Sequence, residues 1–162
     1  NLLPMIFEKG EDPLIIALDG VSDVRNFGAI VRTAECLGAH AVIIPEKGSA
    51  RITADAVKTS AGALHTLPVC REKSLLKALE YLKESGIRIV SAAEKTGNDA
   101  HQNDLRGPVV VVLGSEEKGI SREIMSITDI IVRIPMKGTI ESLNVSVAAG
   151  ILIYEIARQR LA

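Results

Sequence analysis

Three stretches of the chain carry glycines and polar side chains directly after short apolar runs. They span residues 18–34 (LDGVSDVRNFGAIVRTA), 113–121 (LGSEEKGIS) and 134–150 (IPMKGTIESLNVSVAAG). The apolar runs that precede them read as strands, and ligands of open α/β sheets bind just beyond the carboxyl ends of strands. We therefore expect the chemistry of this protein to reside in these three stretches.

The first stretch places a charged side chain on an apolar helix. Arg32 lies among alanine, isoleucine and valine on a helix that is predicted to start near Phe27. A guanidinium in such a position tends to be paired, or to face an anion or a carboxylate. Asn26 precedes this helix, where it is either an N-cap or a polar group of the site.

The second stretch has the glycine spacing of a phosphate-binding loop, but it lacks the other residues of that motif. Gly114 and Gly119 are five positions apart, yet Ile120 follows where the motif needs lysine. Glu116 and Glu117 would also place carboxylates where phosphate groups must lie. The stretch does not support a nucleoside triphosphate site, and no GxGxxG follows the first strand to support a dinucleotide fold.

The third stretch leaves a strand at Ile134, turns at Gly138 and leads into a long apolar helix predicted over 141–160. Ser142 is either the N-cap of this helix or a functional hydroxyl. Asn144 falls in the first turns of the predicted helix. Asparagine is a poor helix former, so its presence there calls for a role other than helix formation. The pattern indicates a role for Asn144 in the site.

The remaining sequence predicts one α/β domain with a mostly parallel sheet and helices on both faces, because short apolar strands alternate with helices. The run 108–113 (PVVVVL) is the most hydrophobic and is predicted to be the central strand. Residues 98–107 read as a polar connection, and 49–63 as partly helical. The other predicted strands are 13–18, 41–44, 67–69, 87–92 and 129–134, and the other predicted helices are 29–37 and 74–85.

Composition excludes several other classes of protein. The 162 residues carry a net charge of −1, so no global basic field attracts nucleic acid, and RNA would need a local patch or another region. Only two phenylalanines and two tyrosines are present, too few for a base-stacking platform. Two cysteines without disulfide or CxxC spacing indicate a reducing cytoplasm. Scattered histidines predict no metal, and no apolar run approaches the ~20 residues of a membrane span.

Taken together and in this order, the three stretches resemble the signature motifs of the SpoU family in the SPOUT methyltransferase superfamily. The first matches NxGxxxRTA at residues 26–34, and the second matches GxExxGxS at residues 114–121. The third matches IPMxGxxxSLNVSVAAG over all of 134–150. The resemblance extends from about residue 13 to the end of the chain.

The resemblance implies a fold and a methyl donor. Family members tuck the C-terminal segment through a loop as a deep trefoil knot, although knots are rare among proteins. The knot forms a pocket for S-adenosylmethionine, which is held largely by backbone groups. The positions here that match this pocket are Gly114, Ile134, Met136 and Leu143.

The resemblance also implies a reaction, methyl transfer to a ribose 2′-hydroxyl of RNA. Similar members act as homodimers in which the motif arginine, here Arg32, completes the site across the interface. The expected substrate is a guanosine of 23S rRNA; a tRNA guanosine and a non-catalytic RNA-binding or dimerisation module are the alternatives. The catalytic and substrate-site residues expected from the match are Asn26, Arg32, Glu116, Ser142 and Asn144.

The resemblance leaves some of the chain open. Residues 1–12 are expected to be a linker from an N-terminal RNA-binding domain, and 13–162 to be the catalytic domain. Glu117 stands where relatives often have glycine, which makes the second stretch more acidic here. A set of basic residues forms either an RNA-facing patch or scattered solvated charges. These residues are Arg25, Arg51, Lys58 and Arg71.

Overall fold

A seven-stranded sheet, parallel throughout, forms the middle layer of the computed structural model, which describes residues 2–161. The strand order is β3-β2-β1-β6-β4-β7-β5. The strands are β1 (Leu14–Asp19), β2 (Ala41–Pro45), β3 (Val69–Glu72), β4 (Arg88–Ala92), β5 (Asn98–Asp99), β6 (Val109–Gly114) and β7 (Ile130–Arg133). Asn1 and Ala162, the outer ends of the expected linker and catalytic domain, lie outside the described residues.

Helices cover both faces of the sheet, as predicted. They are α1 (Leu3–Glu8), α2 (Val24–Cys36), α3 (Ala54–Thr59), α4 (Leu75–Glu84), α5 (Arg122–Ile127) and α6 (Val145–Leu161), with short 3-10 turns at Ala63–His65 and Ala100–Gln102. Alternation along β1 separates two cores, because successive strand residues point to opposite faces. Ile16 packs with α2, α3 and α6, whereas Ile15 packs with α1, α4 and α5.

The most hydrophobic strand lies in the centre of the sheet, as the sequence predicts. β6 pairs with β1 on one side and with β4 on the other, and residues 109–113 are all buried. A strand covered on both faces has no solvent side, so it needs no polar alternation. Because β6 is the central strand, its carboxyl end at Gly114 lies in the middle of the carboxyl edge of the sheet.

Two strand regions differ from the prediction. Residues 98–107 were expected to be a connection, but Asn98 and Asp99 pair with β7 and form the edge strand β5. Two residues are too few for a hydrophobic pattern, so the sequence gives no signal for β5. β3 begins at Val69 rather than at 67, and Pro68 before it contributes only a carbonyl to β2.

The helix caps also differ from the prediction. α2 begins at Val24 and is capped by Asp23, whose carboxylate accepts from the backbone N–H of Asn26 at 2.9 Å. α6 begins at Val145, and the side-chain oxygen of Asn144 accepts from the N–H of Ser146 at 2.9 Å. Asn26 and Ser142 are therefore not N-caps. Asn144 caps α6 at a position where asparagine is favoured, so the prediction that Asn144 lies inside the first turns of the helix was wrong.

β7 lies between β4 and β5, two strands that are adjacent in sequence. The short connection 93–97 must therefore pass β7 on one face of the sheet. Ala93 donates its N–H to the carbonyl of Val132 at 2.9 Å. Gly97 has a φ of 89°, and a β-carbon there would lie 2.3 Å from the carbonyl oxygen of Ile131. Only glycine allows this close crossing.

The C-terminal end of α6 is anchored at the amino edge of the sheet. The side chain of Gln159 is buried, accepts from the N–H of Leu105 at 2.7 Å and donates to the carbonyl of Asn103 at 3.0 Å. Burial lowers the pKa of the Arg160 guanidinium from its ordinary value. Arg160 donates to the carbonyl oxygens of Asp12, Pro13 and Gly107.

At the other end of the chain, residues 3–8 of the expected linker are helical, with Leu3 and Ile6 buried. Within residues 2–161, none of the helices has the length and apolarity that a bilayer crossing requires.

Candidate active site

The three polar stretches converge at the carboxyl edge of the sheet. β1 and β6 are neighbours and end in register, with Asp19 opposite Gly114. The loop after β6 begins at Ser115, and the loop after β7 leads to the start of α6. Because all strands are parallel, the loops that follow them lie on one side. The prediction that the three stretches form a common site is consistent with this arrangement.

Three of the predicted site residues are joined by hydrogen bonds. The side-chain amide of Asn144 donates to Asn26 Oδ1 at 3.1 Å and to Glu116 Oε1 at 3.3 Å. The same Glu116 oxygen accepts from the backbone N–H of Val145 at 3.2 Å. We call these three side chains the Asn26–Glu116–Asn144 cluster. Each comes from a different stretch, so the cluster fixes the three stretches relative to one another.

Both ends of the Asn144 side chain are engaged. Its oxygen accepts from the backbone N–H groups of Ser146 and Val147, which are unsatisfied donors of the first helical turn. Its nitrogen donates to the other two cluster members. Asn144 therefore couples the start of α6 to the cluster, and its rotamer is determined by backbone as well as side-chain partners.

The loop after β6 is a tight turn over residues 115–119. Gly119 donates its N–H to the carbonyl of Ser115 at 2.9 Å, and Lys118 donates its N–H to the Ser115 hydroxyl at 3.0 Å. A β-carbon on Gly114 would lie 2.2 Å from the carbonyl carbon of Gly119. The turn folds back so closely that position 114 has no room for a side chain.

A cavity of about 470 Å³ lies beside the cluster, and we call it the carboxyl-edge cavity. All four positions predicted to bind the methyl donor line it: Gly114, Ile134, Met136 and Leu143. Its walls are largely apolar, with contributions from Leu113, Ile120, Met125, Val132, Ala148 and Leu152. Its charged lining residues are Glu94, Lys95, Glu116, Glu117, Lys118 and Arg133.

Sequence reasoning missed Glu94 and Lys95, which line the cavity from the loop after β4. The rule that places ligands beyond strand ends applies to β4 as well, so the signal was present. Lys95 forms an ion pair with Glu141, which precedes α6, at 3.5 Å. Both side chains are largely exposed, so this pair contributes little to stability.

Two predicted site residues lie outside the cluster. Arg32 is exposed on α2 and has no hydrogen-bond or ion-pair partner among residues 2–161. Ser142 is exposed in the loop before α6 and likewise makes no side-chain hydrogen bond within the described chain. Within residues 2–161 no group of three or more His, Cys, Asp or Glu side chains is arranged to hold a metal ion.

An apolar surface lies next to Arg32, on the outer side of α2 and α6. Val147, Ile151 and Tyr154 are spaced four and three residues apart, so they share one side of α6. Their exposed fractions are 50%, 42% and 57%. Ala29 and Thr33 of α2 adjoin them. We call these five residues the α2–α6 face.

The family profile described as SpoU rRNA Methylase matches residues 13–154. The chain belongs to this family. The resemblance to the SpoU family that the three motifs indicated is thus confirmed by a profile that covers most of the chain. The all-parallel sheet with helices on both faces is likewise the architecture of solved SpoU structures.

Relatives carry names that refer to RNA methylation. An uncharacterized tRNA/rRNA methyltransferase of Mycolicibacterium vanbaalenii is 48% identical over 91% of this chain and 47% of its own length. The 23S rRNA (guanosine-2′-O-)-methyltransferase RlmB of Pseudomonas aeruginosa is 42% identical over 99% of this chain and 65% of its own. The chain thus spans about half the length of the former relative.

Solved structures of SpoU proteins superpose on this chain. The SpoU methyltransferase AviRb from Streptomyces viridochromogenes, crystallised in complex with the cofactor AdoMet, aligns with a TM-score of 0.86 and 31% identity. The alignment covers 93% of this chain and 61% of the AviRb chain. A TrmH/SpoU tRNA modifying enzyme from A. aeolicus aligns with a TM-score of 0.85 and 34% identity, over 93% of this chain and 77% of its own.

Proposed function

We propose that this protein transfers a methyl group from S-adenosylmethionine to a ribose 2′-hydroxyl of RNA, at a guanosine of 23S rRNA. The observation that carries the proposal is the cluster of Asn26, Glu116 and Asn144 beside a cavity lined by the other motif residues. The name of the Pseudomonas relative supports the substrate. A substrate in ribosomal RNA also agrees with the cytoplasmic location expected from the cysteine content.

The carboxyl-edge cavity has the size and chemistry of a methyl-donor site. Its volume of about 470 Å³ lies within the ~300–1,000 Å³ of small-molecule pockets. Apolar walls at Ile134, Met136 and Leu143 suit an adenosine ring, while Glu94 and Lys95 suit the charged ends of an amino acid. When bound, S-adenosylmethionine would supply an electrophilic methyl group on positively charged sulfur. S-adenosylhomocysteine would be the leaving group, and the proton of the acceptor hydroxyl would pass to solvent water.

The residues of the site act by positioning the acceptor ribose. The side-chain nitrogen of Asn26 makes no hydrogen bond within residues 2–161 and orients a ribose hydroxyl. Asn144 and Glu116 hold Asn26 in place through the hydrogen bonds of the cluster. Alignment of this kind contributes about 7–11 kcal/mol to a reaction between two bound partners. Arg32 binds the phosphate beside the acceptor; it is no general base, because a guanidinium is a permanent cation in proteins. Ser142 contributes its hydroxyl to the same ribose.

We further propose that the protein acts as a homodimer in which Arg32 reaches the partner's site. Two features support this: Arg32 is without a partner in its own chain, and the α2–α6 face beside it is exposed and apolar. A twofold interface places the same face of both copies in contact. Arg32 would then sit at the edge of the interface, next to the second copy.

Replacing Ile151 with aspartate at the centre of the α2–α6 face is expected to raise the dimer dissociation constant about a hundredfold or more, because it buries unpaired charges. Analytical ultracentrifugation measures this change, and methyl transfer should fall with the dimer fraction. Met5→Asp, at an exposed apolar residue of α1 on the opposite side of the sheet, is the matched control. A wild-type protein that is monomeric at assay concentrations contradicts the dimer proposal.

We also propose that the C-terminal segment forms the trefoil knot expected from the family. The support is the position of β7 between β4 and β5, with the connection 93–97 crossing it closely at Gly97. The segment that follows β7 then passes into the carboxyl-edge cavity wall at Ile134 and Met136. The same threading brings Asn144 to the cluster.

Calorimetry with S-adenosylhomocysteine, followed by methyl transfer to unmodified transcripts, tests the proposed function. The full-length protein should bind the demethylated donor and should methylate 23S rRNA, with the modified ribose mapped by mass spectrometry. Methylation of a tRNA guanosine instead supports the first alternative. Absence of donor binding by the folded protein indicates a non-catalytic module and refutes the proposal.

A further inference from the structure

A second cleft lies on the other side of the 115–119 turn from the carboxyl-edge cavity. It has a volume of about 640 Å³, and we call it the acceptor cleft. The β1–α2 loop and the first turn of α2, from Asp19 to Asn26, form one wall, and the turn itself forms the other. Gly48, Ser121 and Val145 also line the cleft. The turn lines both spaces, so the cleft and the cavity meet along it.

The junction of the two spaces lies at two members of the cluster. Asn26 lines the acceptor cleft, while Glu116 lines both spaces. A ribose that presents its 2′-hydroxyl to the cavity from this junction has its base attached at the neighbouring carbon. The reacting oxygen must approach to about 3–3.5 Å of the methyl carbon, so the base must lie within the adjoining space.

The acceptor cleft is suited to a neutral group with hydrogen-bond donors. Its lining carboxylates disfavour phosphate, but most of them are already engaged. Asp19 accepts from the N–H of Ser121 at 2.8 Å, and Asp23 accepts from the N–H of Asn26. Glu117 is exposed and has no hydrogen-bond or ion-pair partner among residues 2–161, so both of its oxygens are free to accept.

We propose that the acceptor cleft receives the guanine base of the target nucleotide and that the Glu117 carboxylate recognises it. This inference rests on the proposed function. Guanine carries two adjacent donors on its pairing edge, the N1–H and the 2-amino group, which match the two carboxylate oxygens. The ammonium of Lys118, the next lining residue, donates to the neighbouring guanine O6. Enzymes that modify nucleotides commonly read an unstacked base along this edge.

The same arrangement rejects the other three bases. Adenine and cytosine place a ring nitrogen that accepts hydrogen bonds in the middle of the pairing edge, where it would face the carboxylate. Uracil presents one N–H between two carbonyl oxygens. Only one carboxylate oxygen could accept from that N–H, and the other would be repelled by a carbonyl oxygen. A bidentate contact of this type discriminates between bases by about ten- to hundredfold. Glu117 is thus a specificity-determining residue of this chain.

Cationic residues flank the cleft where the RNA backbone would enter it. Arg25 is exposed between the lining residues Asp23 and Asn26, and Lys47 is exposed beside the lining residue Gly48. The loop that carries Lys47 is held to the cleft wall, because Ala50 donates its N–H to the carbonyl of Val21 at 3.2 Å. These two cations attract backbone phosphates to the edge of the cleft, whereas the carboxylates that line the cleft disfavour phosphate and leave its interior to a base.

The test compares bases at the nucleotide that the full-length protein methylates. Short RNA hairpins carry that nucleotide as G, A, C or U, and kcat/KM is measured on each for the wild type, Glu117→Gln and the control Glu80→Gln. Glu80 is exposed on α4, outside the cleft and the cavity. The ratio between hairpins is the readout, because any effect of Glu117 on the methyl donor is common to all of them.

We expect the wild type to prefer the guanosine hairpin over the adenosine hairpin by about ten- to hundredfold. Glu117→Gln should reduce this preference about tenfold, since a glutamine amide can donate to the adenine ring nitrogen, whereas Glu80→Gln should keep it. An unchanged preference in Glu117→Gln, or a pyrimidine acceptor for the wild type, overturns the inference while leaving methyl transfer established. Failure of the wild type to methylate any RNA overturns the proposed function first, and this inference with it.

Discussion

Replacing Arg32 with alanine is expected to lower kcat for methyl transfer about a hundred- to a thousandfold while leaving donor binding intact. Arg32 lies outside the lining of the carboxyl-edge cavity, so donor affinity should not depend on it. Its proposed role is to bind the phosphate next to the acceptor ribose, where a charged donor typically contributes this much to the rate. Timed assays of methyl transfer with saturating donor and saturating RNA measure kcat, and calorimetry measures donor affinity.

Two variants make this result specific. Arg32→Lys keeps the charge but loses the planar fork that binds phosphate through two hydrogen bonds, so it should be intermediate in rate. Arg122→Ala removes an exposed arginine of α5 and should be close to the wild type. Near-normal turnover by Arg32→Ala would show that another group holds the acceptor.

Mixed dimers determine from which subunit Arg32 acts. When Arg32→Ala and Asn144→Ala proteins are mixed in equal amounts and exchange subunits, half of the dimers carry one copy of each. If Arg32 serves the partner's site, one site in each mixed dimer is intact, and about a quarter of wild-type activity returns. If Arg32 serves its own site, every site lacks one residue and no activity returns.

Replacing Gly114 with alanine is expected to weaken donor binding about a hundredfold or more and to destabilise the fold by about 1–3 kcal/mol. The new β-carbon would lie 2.2 Å from the Gly119 carbonyl carbon and 2.4 Å from its oxygen, so the backbone of the turn must move. Forced overpacking of this kind has about that energetic cost. Because the turn lines the cavity, its displacement also disrupts the donor site.

Gly138→Ala provides the matched control for Gly114→Ala. A β-carbon on Gly138 meets no atom within 4 Å, although the residue belongs to the same family motifs. Urea unfolding gives the change in stability, and titration with S-adenosylhomocysteine gives the change in affinity. Equal effects of the two substitutions would mean that the close approach at Gly114 does not determine the cavity.

Much of the fold was predictable because it depends on patterns that are local in sequence. The apolar run before Gly114 identified the central strand, and the amphipathic pattern of residues 74–85 identified α4. The rule that ligands bind beyond strand ends selected the three stretches that the structure brings together. Family motifs then pointed to cavity residues such as Met136, which no periodicity would single out.

Other features depend on contacts between distant residues and could not be predicted. The bond from Asn144 to Asn26 joins positions 118 apart in sequence, and its geometry requires Asn144 to lie just before α6 rather than inside it. The local pattern predicted that this helix begins at residue 141 rather than at Val145, and it therefore placed Asn144 inside the helix. β5 was missed for the same reason, since two residues gain their strand identity only from β7.

The insertion of β7 between β4 and β5 also bears on how the chain is made. β5 pairs with β7 alone, and β4 has β7 as one of its two neighbours. While residues 130–133 are still inside a ribosome, a nascent chain therefore has no partner for either of these strand edges. Unpaired edges of this kind are sites of aggregation, so the growing chain is most vulnerable just before its last strand emerges.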